Sequence, residues 1–167
     1  MALVLKNRNE QGHNPNVAHP AQWLHVKRAT ASLPASTAAN IFQVRGGRVL
    51  VKLLFGEVTT IIQAQATTLK ISSTAKDSAG TTIGTAVDVT ATVDINALEV
   101  GGFVFAEGDG TALVKSNAGA AFVGPNSGHF IAPQGYLSHT TGATSTGAIK
   151  YDLFYQPLDE GADVVPV

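Results

Sequence analysis

The amino-acid sequence predicts an all-β protein: an antiparallel two-sheet β-sandwich of the jelly-roll type, with an extended N-terminal arm. About ten short segments alternate apolar and polar residues at the two-residue period of a β-strand. Clusters of Gly, Pro, Asn, Asp and Ser separate these segments at intervals of about 8–12 residues, which is typical of sandwiches and barrels. No segment of roughly ten or more residues carries apolar side chains at the i, i+3, i+4 spacing of a helix.

The composition indicates a single domain with a charge-poor surface, which either dissolves only modestly or, as we prefer, is largely covered by partner subunits. The chain has 167 residues, which fits one domain. Only 14% of them are charged, against about 25% in ordinary soluble domains. The formal net charge of −1 offers little attraction to nucleic acid or to an anionic membrane, so we expect neither as a partner.

Composition and hydropathy also argue against cysteine-dependent sites and against a membrane-spanning segment. The absence of cysteine excludes disulfides, thiolate metal sites and cysteine nucleophiles. No apolar run approaches the roughly 20 residues that span a bilayer, and the apolar run at the N-terminus is too short for a signal peptide. We therefore expect no association with a membrane.

Residues 1–26 differ from the rest of the chain and are predicted to form an N-terminal arm, with the β-sandwich domain over residues 27–167. The segment is rich in Asn, His, Gln and Pro, and its two X-Pro steps disfavour a helix. One interpretation is a disordered tail. The other, which we prefer, is an extended arm that becomes ordered by lying across a neighbouring subunit, with Trp23 and Leu24 as its anchor.

The segment from Val49 to Phe55 is predicted to be the central strand. Every second side chain in it is apolar, which predicts one continuous inward face. The residues of that face are Val49, Val51, Leu53 and Phe55. The opposite face includes Arg48 and Lys52 and is partly polar. Gly46 and Gly47 predict a turn before the strand, and Gly56 predicts a bulge or bend after it.

The remaining elements follow from the same alternation and from turn residues. Before the central strand we expect a strand over Lys27–Ser32, one helical turn over Ser36–Asn40 and an extended segment over Ile41–Val44. After it, the predicted strands are Thr67–Ser72, Thr85–Asp94, Phe103–Ala106, Thr111–Lys115, Ala120–Val123, His129–Ile131, Tyr136–Thr140 and Ile149–Tyr155. Thr85–Asp94 has the clearest alternation, with Thr and Asp on its solvent face. After Pro157 the acidic residues predict a solvated tail.

The histidines and acids show no catalytic or metal-binding pattern. His13, His19 and His25 would lie about 20 Å apart end to end in an extended segment, too far for one coordination shell. His129 and His139 are predicted cross-strand neighbours, but the chain lacks the His-x-His pair of a cupin-type metal site. The segment Glu107-Gly108-Asp109-Gly110 is predicted to be a hairpin turn, because its acids stop too early for a calcium loop.

Nucleophile elbows and phosphate-binding loops are also missing from the sequence. We therefore expect no catalytic residue, no metal and no cofactor, although a pair of carboxylates from distant strands remains an alternative. The aromatic residues permit two interpretations, a sugar-binding platform or core packing. We favour core packing, because most of them occupy core-facing positions of predicted strands.

Three stretches of the chain resemble small β-rich proteins encoded among the structural genes of tailed bacteriophages. They are GGRVLVKLLFGEVTTIIQAQATTLKI (Gly46–Ile71), VDINA (Val93–Ala97) and TGAIKYDLFYQPLDEGADV (Thr146–Val164). The resemblance extends over about Ala29 to Val164 and leaves the N-terminal arm outside it.

This resemblance implies a virion component, and most directly a head decoration or cement protein on the outer surface of the capsid. Its expected partners are the major capsid protein and further copies of itself in a homotrimer. The resemblance offers no catalytic residue. The alternatives are a tail or baseplate protein of the same virion and, more distantly, a carbohydrate-binding module or small β-sandwich enzyme.

Overall fold

The computed structural model describes residues 23–106, 111–118 and 129–167. These residues form twelve strands and no helix. The strands are β1 (Leu24–Ser32), β2 (Ala38–Arg45), β3 (Val49–Thr60), β4 (Thr68–Ala75), β5 (Val87–Asp88), β6 (Val93–Asp94), β7 (Phe103–Ala106), β8 (Val114–Ser116), β9 (Phe130–Ala132), β10 (Gly135–Thr141), β11 (Ala148–Pro157) and β12 (Asp163–Pro166).

The strands form two six-stranded sheets in which all pairs of strands are antiparallel. Sheet A has the order β1-β11-β3-β7-β8, with β9 pairing beside β7 on the same strand, β3. Sheet B has the order β12-β2-β10-β4-β5, with β6 also pairing with β4. The first four strands therefore alternate between the sheets, as do the last three. The predicted all-β class with two antiparallel sheets is confirmed.

One hydrophobic core draws on both sheets. Val49 and Val51 of β3 and Leu153 of β11 come from sheet A, while Leu69 of β4 and Leu137 of β10 come from sheet B. All five side chains are fully buried. Fully burying an aliphatic side chain of this size contributes about 1.5–3 kcal/mol, so this shared core is the main force that holds the sheets together.

Strand β3 changes its inward face halfway along, which corrects the predicted central strand. Tyr155 pairs with Val51 and Phe154 pairs with Leu53, so Lys52 is an extra residue in β3. A one-residue insertion moves every later side chain to the opposite face of the sheet. Leu53 and Phe55 are therefore only half-buried, and the core face continues instead through Leu54, Gly56 and Val58.

Gly56 is not the predicted bulge but a point of close contact inside β3. It pairs in regular register with Tyr151 of β11 and Val104 of β7. A Cβ atom at this position would lie 2.7 Å from Ile149 and 2.8 Å from Tyr151. The glycine is needed because the core leaves no space for a side chain here.

The predicted helical turn over Ser36–Asn40 is wrong, because β2 already begins at Ala38. The long strand predicted over Thr85–Asp94 is also wrong, since only β5 and β6 form there. Between them the chain folds inwards at Thr90, whose Oγ1 accepts a hydrogen bond from the backbone N–H of Ile71 at 3.0 Å. That inward step interrupts the pairing with β4.

The C-terminal segment is not a solvated tail. Its strand β12 pairs with β2 at the edge of sheet B, and Ala162 and Val164 are buried in the core. Asp159 accepts hydrogen bonds from Arg48, at 2.8 Å from Nη2 and 2.7 Å from the backbone N–H. Arg45 binds Asp163 through two further hydrogen bonds. These charge pairs fasten the segment to the start of β3 and the end of β2.

Several predictions concern residues that the structure does not describe. They include residues 1–22 of the arm, the turn over 107–110 and the strand predicted over Ala120–Val123. The hairpin partners flanking that turn do pair, as β7 and β8. Strand β1 begins at Leu24, so three residues that were assigned to the arm belong to sheet A.

Candidate interaction surface

The outer face of sheet A, turned away from the core, carries a cluster of three phenylalanines. Phe55 of β3 pairs directly with Phe105 of β7, and their ring centroids lie 5.3 Å apart. The ring of Phe103 lies 6.1 Å from Phe55 and 6.0 Å from Phe105. Val104, between the two β7 phenylalanines, points into the core, so all three rings lie on the outer side. Phe55 and Phe103 are only half-buried, whereas Phe105 is buried.

A stacked pair extends this cluster towards the edge of the sheet. The rings of His25 on β1 and Phe154 on β11 lie 4.2 Å apart and almost parallel. His25 Nε2 lies 2.6 Å from Asp152 Oδ1, and Lys27 Nζ lies 3.9 Å from the same oxygen. Leu53 pairs with Phe154 and joins the stacked pair to the phenylalanine cluster.

Trp23 completes the surface at the bulge in β3. Its ring lies under the ammonium group of Lys52, with 4.7 Å between Nζ and the ring centroid. The ring of His129 lies 5.9 Å from it. We call the surface formed by the outward side chains of sheet A the aromatic face. Its aromatic and aliphatic members are Trp23, Leu53, Phe55, Phe103, Phe105 and Phe154.

The outer face of sheet B is chemically different. Ser138 on β10 donates a hydrogen bond to Asn40 at 2.8 Å, and it pairs with Ser72 on β4. Lys70 on β4 forms an ion pair with Asp88 on β5 at 2.8 Å. Ser72 and Ser138 are themselves buried, but the side chains of this face are polar, and Asn40 and Asp88 are exposed. The two outer faces therefore differ in their affinity for water, and only the aromatic face has the composition of an interface core.

The two predicted anchor residues of the arm both contact their own chain. Leu24 is the first residue of β1, pairs with Tyr155 and packs against the core. Trp23 lies one residue earlier, against Lys52. Their predicted contact with a neighbouring subunit stays a prediction.

The aromatic face was missed because the aromatic residues were expected in the core. That expectation is confirmed for Tyr151 and Tyr155, which belong to the core. It is wrong for Phe103, which is only half-buried on the outer side of its strand. Phe105 is buried, as expected, but its ring packs beside Phe55 and Phe103. Alternation predicts that Phe103 and Phe105 lie on one side of β7 and Val104 on the other. Which of these sides points into the core depends on how much space the neighbouring residues of β3 leave. Gly56, with no side chain, faces Val104 there.

One group of titratable side chains lies in the core between the sheets. His139 of β10 and Tyr151 of β11 are joined by a hydrogen bond of 2.8 Å between Nδ1 and the phenolic oxygen. Burial, and secondarily the charge of Arg28, lower the pKa of His139 to about 4. Burial also raises the pKa of Tyr151. At neutral pH both groups are therefore uncharged.

Arg28 enters this polar group from β1. Its Nε donates a hydrogen bond to the carbonyl oxygen of Val167 at 2.9 Å. Nη1 of Arg28 and Nε2 of His139 are buried and have no hydrogen-bond partner among the described side chains and backbone. Because His139 and Tyr151 are fully shielded from solvent, they have no access to a substrate in this conformation.

The histidines do not form the pairs that a metal site requires. His139 faces the core from sheet B, while His129 lies beside Trp23 at sheet A, so the predicted cross-strand pair is wrong. Within the described ranges there is no group of three His, Cys, Asp or Glu side chains that could hold a metal ion. His13, His19 and the acids of the 107–110 turn lie outside those ranges.

The exposed ion pair between Asp159 and Arg48 stabilises the charged form of the Asp159 carboxylate. Hydrogen bonds from the Arg48 side chain and backbone lower the pKa of the Asp159 carboxyl to about 2. Asp159 therefore keeps its negative charge through moderately acidic conditions.

Comparisons with known proteins give no relative for this chain: no family model, no curated protein and no solved structure matches it. In the described ranges, no helix is long and apolar enough to cross a membrane.

Proposed function

We propose that this protein is a bacteriophage capsid decoration, or cement, protein. In this proposal it binds the major capsid protein on the outer surface of the virion head, and copies of it associate as a homotrimer. The resemblance to phage structural proteins motivates the proposal. The observation that carries it is the contrast between the aromatic face of sheet A and the Ser- and Asn-bearing face of sheet B. A cement protein needs one face for the shell and one for solvent.

The strand order supports the finer proposal of a jelly-roll sandwich. The pairs β1–β11, β2–β10, β3–β9 and β4–β6 are nested, as in one long antiparallel hairpin. Rolling up such a hairpin would add the pairs β3–β11 and β4–β10, and both are present. This strand order supports a jelly-roll path, in which β12 would be an additional edge strand.

The proposed activity is mechanical. Aromatic side chains supply much of the binding energy at protein interfaces, and the centre of an interface is poor in charge. Phe55 and Phe103 lie within such a patch, and Lys27 and Asp152 lie at one side of it. Three such faces in one trimer would bind several capsid subunits at once, so that modest individual contacts sum to a strong attachment. The attachment would resist the outward pressure of packaged DNA.

The proposal is tested by binding to capsids that lack the protein. We expect the wild-type chain to co-sediment with such capsids and Phe55→Ser to lose binding. Tyr136→Ser is the matched control, because Tyr136 is a half-buried aromatic residue on the outer face of sheet B. Melting curves of both variants establish that they fold. Absence of wild-type binding, or equal binding by both variants, would contradict the proposal, and binding to isolated tails would favour the alternative tail or baseplate role.

A further inference from the structure

A second apolar surface lies between the edges of the two sheets. It is a groove of about 390 Å³ between the edge of sheet A at β9 and the edge of sheet B at β4 and β5. Three aliphatic side chains line it and are more than half exposed: Ile83 at 56%, Val87 at 66% and Ile131 at 59%. Phe130 and Pro133 contribute to its wall.

The groove is bordered by two strands, each of which has one edge without a partner strand in the part of the chain that the structure describes. β9 pairs only with β3, and β5 pairs only with β4, among the strands that the structure describes. An unpaired strand edge beside apolar pockets is suited to binding an extended peptide, whose backbone bonds to the edge while alternate side chains enter the groove. The occupant of such a groove is expected to be a short aliphatic segment.

The chain contains a matching segment upstream of the described residues. Ala2, Leu3, Val4 and Leu5 are four consecutive aliphatic residues, followed by a polar stretch up to Gln22. The described chain starts at Trp23, whose ring lies 5.9 Å from His129. His129 directly precedes Phe130 of the groove wall. The upstream segment therefore begins next to the groove of its own subunit.

Its length also brings the groove of another subunit within reach. The residues between Leu5 and Trp23 include two X-Pro steps, which favour extended backbone. Extended, they reach about 60 Å. A domain of the size of residues 23–167 has a diameter of roughly 40 Å. A connection that can reach this far is long enough to cross to a second copy.

We propose that residues Ala2–Leu5 dock in the Ile83–Val87–Ile131 groove of a second copy, as a strand added beside β9 or β5. The inference rests on the proposed self-association and names the surface through which it occurs. Trp23 and Leu24 then hold the start of the arm on its own subunit, while Ala2–Leu5 engage the neighbour.

Cysteine trapping tests this directly, because the natural chain contains no cysteine. One copy carries Val87→Cys and a second, differently tagged copy carries Leu3→Cys or Val4→Cys, whose side chains point to opposite sides of an added strand. We expect one of the two pairs to form a disulfide between copies at least roughly tenfold faster than a control pair, because docking raises the effective concentration. The control replaces Val87→Cys with Leu158→Cys, an exposed aliphatic position that does not line the groove.

Three outcomes would overturn the proposal. The first is equal rates for the groove and control pairs, and the second is a cross-link confined to one chain in the double variant Leu3→Cys/Val87→Cys. The third is a faster bond from Val87→Cys to Ala121→Cys of the same chain, because Ala121 belongs to the segment just before β9 and the bond would make that segment the occupant of the groove. Capsid binding of the uncrosslinked protein is measured separately. Binding without cross-linking would remove only this inference, whereas cross-linking without binding would remove only the proposed attachment to the capsid.

Discussion

His139 and Tyr151 connect the two sheets through a hydrogen bond of 2.8 Å inside the core. His139 stands on β10 of sheet B, and Tyr151 stands on β11 of sheet A. Arg28 of β1 is the cation whose charge acts on both groups. The core therefore contains a buried polar contact with a titratable base, and this makes the stability of the fold sensitive to pH.

We expect the wild-type protein to lose stability as the pH falls from 6.5 towards 4. The pKa of His139 is lowered from 6.5 to about 4 in the folded state, so the unfolded chain binds a proton that the folded chain rejects. The stabilisation is complete above pH 6.5 and is lost by about pH 4. The loss amounts to roughly 3 kcal/mol at most, at about 1.4 kcal/mol per pH unit.

Urea denaturation at several pH values measures this loss. His139→Gln removes the titrating group and keeps an amide that can bond to Tyr151, so its stability should vary less over the same interval. Asp159 should not affect the free energy of unfolding over this interval. Its pKa is lowered to about 2, so its contribution to stability changes only below about pH 4. Parallel pH profiles for the wild type and His139→Gln would contradict the assignment.

Gly56→Ala should destabilise the protein by about 1–3 kcal/mol, the usual effect of overpacking a core. The added methyl group would lie 2.7 Å from Ile149 and 3.0 Å from Val104. Gly80→Asn is the control, because Gly80 has open space around it and asparagine tolerates its positive φ. Thermal melting compares the two. A melting temperature for Gly56→Ala equal to that of the control would show that β3 can shift to make room.

Thr90→Val should lower the free energy of unfolding by about 1–3 kcal/mol, although the two side chains have nearly the same shape. Valine offers no acceptor to the buried N–H of Ile71, which Thr90 Oγ1 now satisfies at 3.0 Å. Thr92→Val, at an exposed position two residues on, should change stability little. Chemical denaturation of both variants measures the difference, and equal effects would mean that the hydrogen bond to Ile71 contributes nothing.

Asp159→Ala should loosen the C-terminal strand without unfolding the domain. The replacement removes three hydrogen bonds from Arg48, which hold the segment before β12 against the start of β3. Hydrogen exchange followed by mass spectrometry should show faster exchange over Asp163–Pro166. Asp88→Ala breaks an exposed ion pair at the opposite edge of sheet B and should leave that exchange unchanged. Unchanged exchange in Asp159→Ala would show that pairing with β2 is sufficient to hold β12.

Much of the fold follows from short-range pattern. Alternation located β1, β3, β4, β7, β10 and β11, because a strand with one buried side repeats every two residues whatever its partners are. The prediction of strands from alternation failed where a single buried hydrogen bond determined the path of the chain. Thr85–Asp94 alternates along its length, yet Thr90 turns inward to satisfy Ile71 and divides the segment.

The aromatic face could not be predicted from side-chain alternation, for a related reason. Alternation divides β3 and β7 into two sides but does not say which side meets the core. The extra residue at Lys52 exchanges those sides within β3, and it is visible only as an offset between β3 and β11. A bulge depends on the partner strand and leaves no mark in the sequence of β3.

The order of residues along the chain was sufficient for the all-β class, the two antiparallel layers and the position of most strands, because these depend on side-chain alternation and on turns of a few residues. The pairing of distant strands was needed to place Phe55 and Phe103 on the outer side of sheet A, to bury His139 beside Tyr151 and to draw the acidic end into sheet B. Each of these depends on which atoms of a remote segment occupy the neighbouring space, and that information exists only once the sheets have formed.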